Sequence, residues 1–250
     1  MRIDLSADLG ESPPGAEASG DAALLHSVTS VNVVCGVHAG DPTLIRRLLR
    51  GARDLGVRAG AHPGLPDRAG AGRRVLAIDP VEVEDAVLYQ VAALAGLARA
   101  EGVALTHVKP HGALYHMATG DEAVAAAVVS ATRLVDDRLA IVGLPGSALL
   151  EAARRAGLSI RAEAFADRAY EADGRLVPRG TPGAVLIDPD EVTARVVRLA
   201  TEQRVRAVDG TDLAVAAGTI CVHGDTPGAA GLARAVREAL ERAGIVVAAP

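Results

Sequence analysis

Acid–base residues stand at particular points of this chain. Asp8, His38, His62, Lys109, His111 and His223 each lie at, or within two residues of, the end of a short apolar run. Asp167 with Arg168, and Asp225, follow two of the same runs. Histidine, aspartate and lysine supply general acids and bases, and imidazole titrates near neutral pH. Lys109 is the single lysine among 26 Lys and Arg residues. It could act as a fixed cation beside an oxyanion or a phosphate. Arg73 and Arg74 follow Gly70 and Gly72 and make a basic loop suited to an anion. Asn32 is a polar residue inside an apolar run, where it either points toward the site or is a satisfied core amide. Tyr115 either reaches the site or covers it. Asp8, His38 and His62 are chemically able to form a mixed Asp/His metal site, although spacing assigns no metal ligand set.

The elements that must position these groups repeat as strand, then helix. Apolar runs rich in Val, Ile and Ala cover Arg2–Leu9, Ser30–Gly36, Val57–His62, Leu105–Lys109, Ala140–Leu144, Ser159–Ala166 and Thr219–His223. Near-continuous apolar runs fit buried parallel strands. Asp41-Pro42, Asp79-Pro80, Asp188-Pro189 and Thr226-Pro227 each open a helix, with a capping side chain followed by Pro in the first turn. Glu82 and Glu191 extend two of these into capping boxes. Further helices are expected near 121–135 and 146–157. The first of the Asp-Pro helices turns Leu44, Ile45, Leu48, Leu49, Ala52 and Leu55 inward. Val205–Ala217, with Asp209-Gly210 at its turn, reads as a small hairpin. Alternating strands and helices imply a parallel sheet, open or closed. Seven units in 250 residues fit one (β/α) barrel domain over 1–250, slightly smaller than the eight-fold type. In such a barrel all the C-terminal strand ends lie on one face, and six of the seven runs finish in a titratable group. The scattered groups then form one site. The loop Pro63–Leu76 is long enough to be functional. His26 lies outside the pattern and reads as surface, and His116 is not assigned to the site.

Composition excludes several classes. Half of the residues are apolar and only 2% aromatic, so the core must be Ala, Val and Leu. The net charge of −5 is spread along the chain, which argues against a nucleic-acid or anionic-membrane surface. Two cysteines, Cys35 and Cys221, are too few for a disulfide scaffold and read as small buried hydrophobes. The N-terminus has no apolar signal segment, and no apolar run reaches the ~18 residues of a membrane span. A cytoplasmic protein is expected. There is no G-x-x-x-x-G-K-[ST] phosphate loop, no dinucleotide fingerprint after a strand, no G-x-S-x-G elbow and no H-E-x-x-H.

Several segments match a known family in its own order: DLSADLGE (4–11), VNVVCGVHAGDP (31–42), GAHPGLPD (60–67), GRR (72–74), HVKPHGALY (107–115), FADRAYEADGRLVPR (165–179), PGAV (182–185) and TICVHGD (219–225). The chain resembles the lactam-utilisation (LamB/YcsF-type) family, whose characterised role is the A subunit of bacterial 5-oxoprolinase. The resemblance spans almost the whole length. It implies a distorted seven-stranded barrel akin to sugar deacetylases, and ATP-dependent opening of 5-oxoproline to glutamate together with subunits B and C. In that reaction Lys109 with Arg73 and Arg74 would stabilise anions. Asp8, His38, His62, His111 and His223 would serve as acids and bases, and Arg168 would hold the substrate carboxylate. Asn32, Tyr115, Asp167 and Asp225 would complete the lactam or ATP site. The chain departs from the family pattern at Ser6-Ala7, at Ser12–Gly15, and at Leu65 and Ala71, where aromatics are usual. Rival readings on the same barrel face are a metal-dependent deacetylase or amidohydrolase, and a non-catalytic assembly subunit.

Overall fold

A computed structural model describes residues 1–11, 19–225 and 228–250. The strands, in chain order, are β1 (Arg2–Leu9), β2 (Ser30–Val34), β3 (Arg58–His62), β4 (Leu105–Val108), β5 (Ala140–Gly143), β6 (Ile160–Phe165), β7 (Arg204–Arg206), β8 (Asp212–Ala214), β9 (Thr219–His223) and β10 (Val246–Val247). Among the described residues, β1 to β6 and β9 pair in parallel, and β9 bonds both β6 and β1. The sheet therefore closes into a seven-stranded barrel, as the seven apolar runs predicted. β7 and β8 form the expected antiparallel hairpin. The short β10 adds beside β1 outside the ring.

Eight helices pack around the barrel among the described residues: α1 (Ser19–Leu25), α2 (Pro42–Asp54), α3 (Pro80–Ala100), α4 (Gly112–Gly120), α5 (Glu122–Val135), α6 (Ala148–Arg155), α7 (Pro189–Glu202) and α8 (Ala229–Arg242). The Asp41 carboxylate accepts from the Thr43 and Leu44 N–H groups at 2.8 and 2.9 Å, with Pro42 in the first turn. Asp188 caps α7 in the same way. Glu82 accepts from the Asp79 N–H at 3.2 Å and so closes its capping box. The box expected at Glu191 is half made. Its N–H donates to Asp188, and no bond returns from its carboxylate among the described residues. Leu55 ends α2 as its C-cap and is exposed rather than inward. Thr226-Pro227 and Ser12–Gly15 lie outside the described residues. Among the described residues no helix is long and apolar enough to cross a membrane.

The closed sheet has two buried faces. Leu5, Ala7, Leu9, Val31 and Val33 belong to one continuous apolar core with helix residues such as Ile45, Leu49, Leu94, Leu150 and Leu240. The alternate positions carry polar side chains that meet across the barrel. The Asp4 carboxylate accepts from Ser30 Oγ at 2.7 Å and Thr219 Oγ1 at 2.7 Å. Asn32 Nδ2 donates to Asp8 Oδ1 at 2.7 Å, and its Oδ1 lies 2.7 Å from His107 Nε2. Asn32 is on β2 and His107 on β4, so their bond passes over Gly60 of the intervening β3. A Cβ at Gly60 would overlap the His107 ring.

Candidate functional site

Lys109 closes the barrel at its C-terminal end. It is 2% exposed, and its Nζ lies 3.0 Å from Asp8 Oδ1, 3.1 Å from Glu163 Oε2 and 3.2 Å from Cys221 Sγ. These partners come from β1, β6 and β9, so a single ammonium ties non-adjacent strands together. The Phe165 ring lies 5.0 Å from the same nitrogen. Burial alone would lower the lysine, but Asp8, Cys221 and Glu163 outweigh it and hold it well above its usual value. Burial would likewise raise Asp8, yet Lys109 and then His62 hold that carboxyl well below the ordinary range. Glu163 goes the other way: burial raises it, and Lys109 offsets only part of the rise. Lys109 is thus a permanent cation between one firmly ionised carboxylate and one that takes up protons more readily.

Beside this cluster stand Glu11, His62 and His111. Glu11 Oε1 is 2.8 Å from His111 Nδ1 and 3.2 Å from His62 Nε2. Burial opposes ionisation of Glu11, but the charge and hydrogen bond of His111, then those of His62, hold it well below the usual value. Glu11 in turn raises His111 against the effect of burial. His62 comes from the end of β3. His111 is the N-cap residue of α4, and its following Gly112 has a φ of +52°. A Cβ there would run against the Gly72 carbonyl of the long loop. His38 stacks on the His111 ring with centroids 4.1 Å apart. Burial, then the neighbouring His111 and His62, push His38 down to about 2, so it stays neutral.

Above the floor is a cavity of roughly 360 Å³. Its walls carry Arg73, Arg168, Arg179, His116, His223, Phe165 and Tyr115. Asp225 accepts from Arg73 at 2.6 Å and from Arg179 at 3.2 Å, holding both guanidinium groups at the mouth. His223 Nδ1 lies 2.9 Å from Asp167 Oδ1. A carboxylate accepts, so Nδ1 carries the hydrogen and Nε2 is the ring's other nitrogen, free of that bond. Phe165 stacks on the His223 ring at 5.2 Å. The wall therefore brings an imidazole held on Asp167 and three guanidinium groups to the same cavity.

A family model described as LamB/YcsF matches residues 3–250. The chain belongs to the LamB/YcsF family. It is 52% identical over 250 residues to the 5-oxoprolinase A subunit of Chloroflexus aggregans, covering 100% of this chain and 99% of the relative. It is 49% identical to the 5-oxoprolinase A subunit of Bordetella pertussis over 247 residues, 99% of this chain and 98% of the relative. Among solved structures, the lactam utilization protein from Thermus thermophilus superposes with a TM-score of 0.93 at 46% identity, each chain being covered completely.

In this LamB/YcsF chain, Asp8, His62, Lys109, His111, His223, Arg73, Tyr115 and Arg168 line the cavity together. Other anticipated residues sit behind it. Asn32 and Asp167 support Asp8 and His223, Asp225 holds the two arginines, and His38 backs His111. Arg74 is turned away: it pairs with Asp67, which also accepts from the Gly70 N–H and so shapes the loop. Arg168 commits its Nε and Nη2 to the carbonyls of Ala184 and Val177, and burial with the nearby Arg179 lowers it to about 10. Tyr115 is buried against Phe165, and burial with Glu163 holds it well above its usual value. The metal trio considered from sequence, Asp8, His38 and His62, is not the one that converges; Glu11, His62 and His111 do.

Four residues of this LamB/YcsF site were missed: Glu11, His116, Glu163 and Arg179. Glu163 carried a usable signal, since it precedes Phe165 by two residues on a strand and so shares its inward face. Glu11 and Arg179 each close a matched segment. His116 sits on α4, which no apolar period marks.

Proposed function

We propose that this chain is the A subunit of an ATP-dependent 5-oxoprolinase and opens 5-oxoproline to glutamate together with subunits B and C. One observation carries the reading. In a chain that aligns end to end with relatives of that name, one small cavity is lined by three guanidinium groups and by an imidazole held on Asp167. 5-Oxoproline is a five-membered lactam bearing a carboxylate. Its opening requires water to add to the amide carbon and a proton to reach the leaving nitrogen. His223, held by Asp167, is the acid–base group for that exchange. Arg73 and Arg179 hold the carboxylate, and Arg168, whose Nε and Nη2 are bonded to carbonyls, adds positive charge beside them. Lys109 supplies fixed positive charge beneath the reacting carbonyl. Lactam opening is unfavourable near neutral pH, and ATP hydrolysis drives it. A cavity of roughly 360 Å³ falls within the ~300–1,000 Å³ of small-molecule sites and accommodates the lactam. The missing phosphate loop fits ATP being handled jointly with B and C or at a site of another kind.

The test is reconstitution with B and C and measurement of glutamate from 5-oxoproline. Glutamate should form only when ATP and this chain are both present. His223→Gln should lower turnover by about 10²-fold or more without preventing assembly. Glutamate forming equally without ATP, or none from an assembled complex, would overturn the reading.

A further inference from the structure

Three donor atoms converge at the cavity floor. Glu11 Oε1 lies 2.8 Å from His111 Nδ1 and 3.2 Å from His62 Nε2, and the two imidazole nitrogens are 3.1 Å apart. The far sides of the rings fix where the hydrogens are. His62 Nδ1 is 2.7 Å from the Lys109 carbonyl, and His111 Nε2 is 2.8 Å from the Ala71 carbonyl. A carbonyl only accepts, so both of those nitrogens carry hydrogen. In the neutral rings the lone pairs of His62 Nε2 and His111 Nδ1 therefore face each other and a carboxylate oxygen. Three acceptors at this spacing repel one another unless a cation is shared among them.

We propose that Glu11, His62 and His111 bind a divalent transition-metal cation of the zinc class, with its remaining coordination positions open to the cavity. Two nitrogens and a carboxylate oxygen are the donor set such ions prefer. Bonds of about 2.0–2.1 Å place donors about 2.9 Å apart in an octahedron and about 3.3 Å apart in a tetrahedron, close to the separations above. Each ligand is also held from behind, as metal ligands are. His62 leans on the Lys109 carbonyl. His111 leans on Ala71, whose φ of +50° is uncommon for a residue other than glycine. Arg73 donates to Glu11 Oε2 at 2.9 Å, which leaves Oε1 for the cation. Asp8 Oδ2 lies 3.5 Å from His62 Nε2 and adds negative charge next to the trio. All three ligands line the cavity, so this is an open site of the kind that activates water, not a closed structural one. The alternative occupant is a proton on His111, paired with Glu11.

The test uses the full chain without an affinity tag, stripped with a chelator and titrated with Zn²⁺ and with Co²⁺. It is independent of the 5-oxoprolinase reading, because uptake is read by calorimetry and by the visible absorption of Co²⁺, not by turnover. The wild type should take up one equivalent and unfold at a higher temperature with Zn²⁺ present. Glu11→Gln and His62→Gln should each weaken uptake by more than the ~10–100-fold that losing a merely orienting group brings. His116→Gln, in the same cavity but outside the trio, should bind as wild type. Two variants guard against one failing to fold. No saturable uptake by the wild type would show that a proton holds the site and would overturn the proposal. So would Glu11→Gln and His62→Gln binding as tightly as the wild type.

Discussion

The two faces of the barrel strands are both buried, and they are chemically opposite. Outward, Leu5, Ala7 and Leu9 join an apolar shell completed by the helices. Inward, Asp4, Ser6 and Asp8 of the same strand join a network reaching Ser30, Asn32, His107, Lys109 and Thr219. Apolar burial is non-directional and tolerates repacking. A buried polar network is directional, and each member depends on its partner. The shell thus supplies stability that many sequences could supply. The interior uses part of that stability to hold Lys109 and Asp8 charged in a place where neither could stand alone.

The largest effect should come from removing the shared cation. Lys109→Met leaves Asp8 and Glu163 buried without their counter-charge and should destabilise by about 3–5 kcal/mol. Leu150→Ala, in the shell, should cost a comparable ~2–5 kcal/mol. The contrast lies in what survives. The folded fraction of Leu150→Ala should turn over normally in the reconstituted complex, whereas Lys109→Met should lose turnover. Urea unfolding together with turnover per folded molecule checks both. A Lys109→Met protein as stable and active as wild type would show that the interior charges are not interdependent.

A middle-sized effect isolates geometry from charge. Gly60→Ala puts a methyl group into the His107 ring and should cost about 1–3 kcal/mol. Because His107 bonds Asn32, and Asn32 bonds Asp8, the displacement should reach the cavity floor. Gly96→Ala on the exposed side of α3 meets nothing within 4 Å and should instead stabilise by up to about 1 kcal/mol. Opposite signs for the same chemical change, read in thermal melts, would mark where the polar interior is close-packed. Equal effects would mean the His107 ring moves aside freely.

The same comparison explains what could be read from the sequence. All seven apolar runs became barrel strands, because Val, Ile and Ala runs between Asp-Pro caps leave few alternatives. The strand ends then brought Asp8, His62, Lys109, His111 and His223 around one cavity. The inward network was harder to see. Treating Arg2–Leu9 as one apolar run hides that Asp4, Ser6 and Asp8 recur every second residue, as do Thr219, Cys221 and His223. Spacing from Phe165 places Glu163 on the inward face, but a side chain on one strand gives no sign of which distant strand it will meet, so its pairing with Lys109 is not legible. Arg73 and Arg74 are adjacent and alike, yet only the contacts separate them: Asp225 and Glu11 draw one inward, and Asp67 holds the other outside. The helix α4 escaped notice because it begins on a histidine with a glycine after it and lacks a strong apolar stripe.

The smallest expected effect lies outside both buried faces. Glu101, at the end of α3, accepts from Arg50 Nε at 2.7 Å and also pairs with Arg46, tying α3 to α2. Hydrogen bonds from Arg50, then Arg46, lower its carboxyl from 4.5 to about 2. A carboxyl depressed in the folded state favours folding at pH values above its unfolded value, and that contribution fades as pH falls from about 4.5 toward 2. Glu101→Gln should therefore lower stability slightly at neutral pH and remove part of the wild type's loss across that acid window, so the two proteins converge near pH 2. Glu101 itself is buried, but Arg46 and Arg50 are about half exposed to solvent, so the difference at neutral pH should also shrink in high salt. Chemical unfolding from pH 7 down to pH 2, at low and high ionic strength, checks it. A gap that stays constant with pH would mean Glu101 acts by packing rather than by charge. That would place the α2–α3 junction with the apolar shell instead of setting it apart from both buried faces.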